Sequence, residues 1–132
     1  MRRLDDRTMV AGQIRPEQVA SLGVAMIVNN RPDGEEQGQP AAAEIEAAAN
    51  AAGIAYRHIP VAGGISHEQV GRMAQALEEA KGPELAFCKS GTRSTYLWAL
   101  ASAKRGADRD ELARRAAEAG YDLSPIWRFL QV

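Results

Sequence analysis

Short apolar runs alternate with longer stretches of helix formers along most of this chain, and that alternation limits the fold more than any other feature. The apolar runs are TMVAG at Thr8–Gly12, VAMIV at Val24–Val28, IAYRHIPV at Ile54–Val61 and ELAFC at Glu84–Cys88. Each has the length and residue types of a buried strand. Between them lie segments with helix signals. Pro16 suits the first position of a short helix ending near Leu22. PAAAEIEAAANAAG is rich in helix formers, and Gly53 stops it. SHEQ at Ser66–Gln69 reads as a capping box opening a helix to Ala80, and DRDE at Asp108–Glu111 as a second, whose helix ends at Gly120. A helix after Cys88 closes at Gly106, with Leu97, Leu100 and Ala101 on one face. SPIWRFL gives a last short helix with Ser124 as cap. The order is β-α-β-α-β-α-β-α-α-α. It predicts a single α/β domain over residues 1–132, with a mainly parallel central sheet flanked by helices on both faces.

Right-handed crossovers in such a fold bring the loops after the strands to one rim, where ligands bind. The loops at 30–40, 62–66 and 88–93 all fall there. The first, within NNRPDGEEQGQP, is rich in Gly, Pro and charge and reads as one long functional loop.

Composition narrows the chemistry. The net charge is −1, so no global field draws the chain to nucleic acid or an anionic membrane. Anion binding has to come from a local arrangement. Cys88 is the only cysteine, which excludes an internal disulfide and a multi-cysteine zinc site. MRRLDDRTMV lacks the apolar core of a signal peptide, and no run approaches the length of a membrane helix. The expectation is a cytoplasmic protein with no metal, no cofactor, and no nucleic-acid or membrane partner.

The single cysteine stands at the end of a strand, in CKSGTRST, directly before a helix. Backbone N–H groups at a helix start lack partners within the helix and favour negative charge. Ser90 and Gly91 suit a tight curl. If the loop closes into a ring, the amides of Lys89, Ser90, Gly91, Thr92, Arg93 and Ser94 point inward. Arg93 then adds a planar fork for two oxygens of a tetrahedral anion. The same field promotes a thiolate at Cys88, which is the nucleophilic form. Ser94 can donate its hydroxyl to the sulfur and ease its departure in a second step. A small buried core cysteine beside a plain turn is the competing reading. The loop lacks the Gly-Lys-Ser/Thr of a nucleotide-binding Walker loop.

FCKSGTRS resembles the signature loop of cysteine-dependent phosphatases and of rhodanese-type sulfurtransferases. Over nearly its full length the chain resembles the bacterial beta-lactamase-hydrolase-like protein family. The matching pieces are LDDRTMVAGQI, NNRPDGEEQGQP, YRHIPV, CKSGTRSTYLWALA and AGYDL. The resemblance implies a tyrosine/dual-specificity phosphatase fold, with Cys88 as nucleophile, Arg93 and the loop amides as anion binders, and Ser94 as the group assisting release. Two departures stand out. Four residues, Lys89–Thr92, separate Cys88 from Arg93, one fewer than in such phosphatases and close to the rhodanese length. The loop after YRHIPV reads AGGIS, without the carboxylate that serves there as general acid.

Two chemistries therefore stay open. One is hydrolysis of a phosphomonoester, on a small molecule or a phosphoprotein, through a thiophosphoryl-cysteine. The other is rhodanese-type transfer from a sulfane-sulfur donor through a persulfide on Cys88. A non-catalytic anion-binding or thiol-sensing module is a third reading. Asp33, on the same rim, is the candidate acid or ligand-orienting group, against a plain turn aspartate before Gly34. His58, inside a strand, reads as structural and His67 as a surface residue. Arg31 reads either as an anion-steering group or as a solvated arginine. Tyr96 and Trp98 cannot share one helix face, so one packs and the other is partly exposed. Trp127 and Phe129 read as docking contacts of the last helix, and Arg114–Arg115 as a solvated face.

Overall fold

The computed structural model describes residues 1–130. Five strands form one sheet: β1 Arg2–Arg3, β2 Thr8–Ala11, β3 Met26–Asn29, β4 Ala55–His58 and β5 Glu84–Phe87. Their spatial order is β1-β2-β5-β3-β4. β1 pairs antiparallel with β2, and the other neighbours run parallel. Four α-helices accompany them: α1 Ala42–Ala51, α2 His67–Glu79, α3 Thr92–Lys104 and α4 Arg109–Glu118. The mainly parallel α/β architecture read from the sequence is the one found.

Alternation along the strands builds two cores. Ile27, Leu85 and Phe87 face Ile45 and Ala49 of α1, together with Val19. Val10, Met26, Val28 and Ala86 face the other way, against Met73 and Leu77 of α2 and Leu97, Trp98 and Ala101 of α3. Each fully buried Leu, Ile or Val stabilises the fold by about 1.5–3 kcal/mol relative to exposure. The central strands therefore cannot slip by one residue without exposing one core.

Several details differ from the sequence expectation. The segment at Pro16–Ser21 is a 3-10 helix, as is Ser124–Leu130. Asp122, not Ser124, caps the last segment, because its Oδ1 accepts from Ser124 N–H and Oγ–H. The two-residue β1 carries no apolar pattern to announce it. Ser66 does form a reciprocal capping box with Gln69. Asp108 accepts from Glu111 N–H, while the Glu111 carboxylate turns to Arg114 and Arg115. Trp98 is buried and Tyr96 half-buried. Phe129 is 59% exposed, lining a groove of about 600 Å³ with Tyr96 and Leu100 rather than docking.

The register sets the site. Asn29 lies opposite Phe87, and Phe87 opposite Ala11. The exits of β2, β5 and β3 are thus level. Cys88 N–H donates to Ala11 O at 3.3 Å, and Asn30 N–H to Phe87 O at 2.8 Å. After β3 the chain moves outward to β4, then crosses back to β5 on the other flank. The crevice of such a reversal opens at this rim.

Candidate active site

Cys88 is the first residue beyond β5 and is fully buried. The chain then curls over its own sulfur: Gly91 N–H donates to Cys88 Sγ at 3.1 Å. Gly91 adopts φ +90°, a left-handed conformation that side chains disfavour. It is also crowded, since a Cβ there would collide with the Tyr121 hydroxyl. From Gly91 the chain enters α3 at Thr92, so the amides of the first turn open toward the curl. The Ser90 and Thr92 hydroxyls lie 3.1 Å apart on its rim. Lys89 is exposed and reaches the Glu36 carboxylate at 3.9 Å.

The curl is braced from outside. Gln13 N–H donates to Lys89 O at 3.3 Å. Gly12 lies flat against that carbonyl, and a Cβ on it would sit 2.8 Å from the oxygen. Thr95 Oγ–H donates back to Gly91 O, and Tyr121 Oη–H to Ser90 O.

Arg93 is held by its end. Its Nη1 and Nη2 donate to the two oxygens of Glu35 at 2.7 and 2.8 Å, and Nη1 also to Val61 O at 2.8 Å. A guanidinium has five N–H donors. Three are used on Glu35 and Val61; Nε–H and the second Nη2–H meet no carboxylate or carbonyl among the described residues, and the Cys88 sulfur is the acceptor beside the guanidinium. Those two lie along one edge and form a fork that Glu35 and Val61 leave unused. Hydrogen bonding by Glu35, and then the neighbouring Cys88, hold Arg93 charged. In return, Arg93 and then Arg31 pull the Glu35 carboxyl down to about 2 against the effect of burial.

Glu35 is a site residue that sequence reasoning missed. It lies 58 positions from Arg93, and its only sequence signal is the acidic pair in RPDGEE on the same rim. Arg31 is not solvated. It is 1% exposed, with Nε on Glu35, Nη2 on Glu36 and Nη1 on Gln13. It therefore anchors the acidic loop to the rim beyond β2 and β3 rather than projecting toward a ligand. Gln39 braces the same loop by accepting from Glu35 N–H and donating to Pro32 O.

The two remaining catalytic candidates hydrogen-bond to other groups. Asp33 is exposed, and its Oδ1 accepts from Ala42 N–H at 2.7 Å, capping α1. That favourable dipole contact explains its conformation without a ligand. Ser94 is buried, and its hydroxyl donates to Asn30 Oδ1 at 2.8 Å rather than to the sulfur. Asn30 in turn donates from Nδ2 to Ile59 O. His58 is structural, with Nε2 donating to Arg31 O, and His67 is exposed.

Residues 1–105 match the family model described as beta-lactamase hydrolase-like protein, phosphatase-like domain. The chain belongs to that family. A beta-lactamase hydrolase-like protein of Agrobacterium fabrum is 38% identical over 98% of this chain. A candidate phosphatase from Neisseria meningitidis superposes with a TM-score of 0.82 at 36% identity, over 98% of this chain and 95% of the other. The structure named Tk-PTP in its active form shares the fold, with a TM-score of 0.76 at 17% identity, over 98% of this chain and 91% of that one. This phosphatase-like domain spans 31% of the Agrobacterium relative's length. Among its described residues no helix is long and apolar enough to cross a membrane, and no cluster of His, Cys, Asp and Glu could hold a metal ion.

Proposed function

We propose that this phosphatase-like domain is a cysteine-dependent phosphomonoester hydrolase. The observation that carries the reading is the Nε/Nη2 edge of Arg93, left over by Glu35 and Val61 beside a sulfur that already accepts the Gly91 N–H. A phosphoryl group fits there, with two oxygens on the guanidinium edge and the third on the α3 amides. The Lys89, Ser90, Gly91 and Thr92 backbone completes the cradle. Sγ, as thiolate, attacks phosphorus, an S–P bond forms and the ester P–O bond breaks. Water then attacks phosphorus, the S–P bond breaks, and inorganic phosphate leaves with the thiolate restored.

The neighbouring carboxylates shape the substrate range. Asp33 caps α1, Glu35 is held ionised by two arginines, and Glu36 lies on Arg31 and Lys89. None is set to give a proton to the leaving oxygen, a contribution typically worth about 10²–10⁴-fold. Substrates with weakly basic leaving groups, such as aryl phosphates of acidic phenols, are therefore turned over fastest.

The same observation favours a second reading. Sulfane transfer needs no proton donor. Cys88 would attack the outer sulfur of thiosulfate and release sulfite. The persulfide would then pass that sulfur to cyanide as thiocyanate and regain the thiolate. Parallel assays separate the two. Wild type should release phosphate from aryl phosphates at rates that fall steeply as the phenol becomes more basic, and Cys88→Ser should release none. Cys88-dependent formation of thiocyanate without phosphate release would replace the first reading by the second.

A further inference from the structure

The Ser90–Gly91 peptide has both ends occupied. Its N–H, on Gly91, donates to Cys88 Sγ at 3.1 Å, and its C=O, on Ser90, accepts from Tyr121 Oη–H at 3.1 Å. A peptide unit is planar and trans, so its N–H and C=O point in opposite directions as one rigid body. Whatever fixes the carbonyl also fixes the amide. A hydrogen bond accepted by the carbonyl polarises the unit and strengthens its N–H as a donor.

We infer that Tyr121 is a positioning residue for the reactive sulfur, acting through this one peptide: Tyr121 hydroxyl to Ser90 carbonyl, Gly91 amide to Cys88 sulfur. The inference deepens the reading of Cys88 as nucleophile and rests on it. Among the described residues no other group bonds to this peptide's N–H or C=O. Gly91 has no side chain to anchor it, and at φ +90° the peptide before it is free to flip unless a partner holds its carbonyl.

The fold delivers Tyr121 to that place by design of a helix end. Gly120, at φ +94°, turns the chain out of α4, and Tyr121 N–H closes the turn on Ala116 O at 2.8 Å. The ring packs against the larger core, and its hydroxyl emerges behind the curl. Burial raises the affinity of the phenol for its proton; Arg2 opposes this and Cys88 adds to it, and the net direction is upward, so the hydroxyl remains a donor. The crowding of Gly91 by the same hydroxyl is the steric side of this contact. A residue 33 positions beyond Cys88, on an element outside the sheet, thereby reaches the sulfur without touching it.

Tyr121→Phe keeps the ring and removes only the donor. Two readouts on the full chain do not depend on which reaction the site performs. The rate of alkylation of Cys88 by iodoacetamide at neutral pH should fall about three- to tenfold, the scale of one hydrogen bond. In a ¹H–¹⁵N spectrum the Gly91 amide proton should move upfield, as its bond to sulfur weakens, while the amides of the sheet stay in place. Tyr121→Trp, which keeps an aromatic plug but cannot offer the same hydroxyl, should resemble Phe rather than wild type. An unchanged alkylation rate and an unmoved Gly91 amide in a folded Phe variant would overturn the inference. A wild-type protein inactive on both aryl phosphate and thiosulfate would overturn the functional reading instead, and these two readouts would still decide the role of Tyr121.

Discussion

Glu35 and Arg93 meet end on, carboxylate to guanidinium, through bonds of 2.7 and 2.8 Å. This arrangement orients Arg93 while leaving its side edge for a ligand. Glu35→Gln retains the shape but loses the charge and one acceptor. It should lower kcat/KM for an aryl phosphate by about 10–100-fold, the scale of a lost charge-assisted hydrogen bond. Steady-state kinetics beside a melting curve tests this. A variant as active as wild type would show that Arg93 needs no anchor. The pH sign is fixed as well. The folded carboxyl is depressed from 4.5 to about 2, so its contribution is complete above the unfolded value and is lost only as pH falls toward 2. No loss of activity between pH 7 and 5 should trace to this pair.

Gly91→Ala combines a left-handed backbone with a collision against the Tyr121 hydroxyl. The strain costs about 1–3 kcal/mol if the loop keeps its shape. If the loop yields instead, the amide leaves the sulfur. Denaturant unfolding and Cys88 alkylation should register one loss or the other. A variant normal in both would mean the curl is not needed as drawn.

Ser94→Ala should act on stability before chemistry. The Ser94 hydroxyl serves Asn30 Oδ1 in a buried position, and its removal strands that oxygen. The cost is about 1–3 kcal/mol. Thermal unfolding should reveal it. Slow breakdown of a trapped covalent intermediate with unchanged stability would instead return Ser94 to a direct part in release.

Glu84 lies at the opposite rim, 2% exposed, with Oε1 accepting from Thr8 Oγ–H and Oε2 without a partner among the described residues. Burial lifts its carboxyl from 4.5 to about 7. The folded state therefore binds the proton more tightly than the unfolded chain, and stability declines as pH rises from about 4.5 through 7. The full decline is about 3 kcal/mol. Wild-type denaturation midpoints should drop between pH 5 and 8, and Glu84→Gln should flatten that slope. The slope is the readout, because a buried amide brings an unsatisfied donor of its own. Equal slopes would refute the assignment.

The parallel sheet and the rim were legible because strand and helix signals are local, and so was the run from Cys88 to Arg93, whose parts are sequence neighbours. What was not legible depends on distance along the chain. Glu35 and Tyr121 become site residues only after the fold brings loops from β3 and α4 to the same rim. Asp33 and Ser94 had suitable chemistry and suitable positions, yet nearer partners, Ala42 N–H and Asn30, claim them. Arg31 illustrates the same limit. Its burial follows from two glutamates and Gln13 converging on it, which no local pattern announces.

The curl at Cys88 is clasped by Ala11 and Gln13 from one strand exit, Val61 and Glu35 from two others, and Tyr121 from a helix end. Transplanting the eight residues CKSGTRST into a foreign scaffold would carry over the sulfur and the guanidinium but none of these clasps. Such a graft should behave as an ordinary exposed thiol beside an untethered arginine, because the reactive unit is a property of the whole rim.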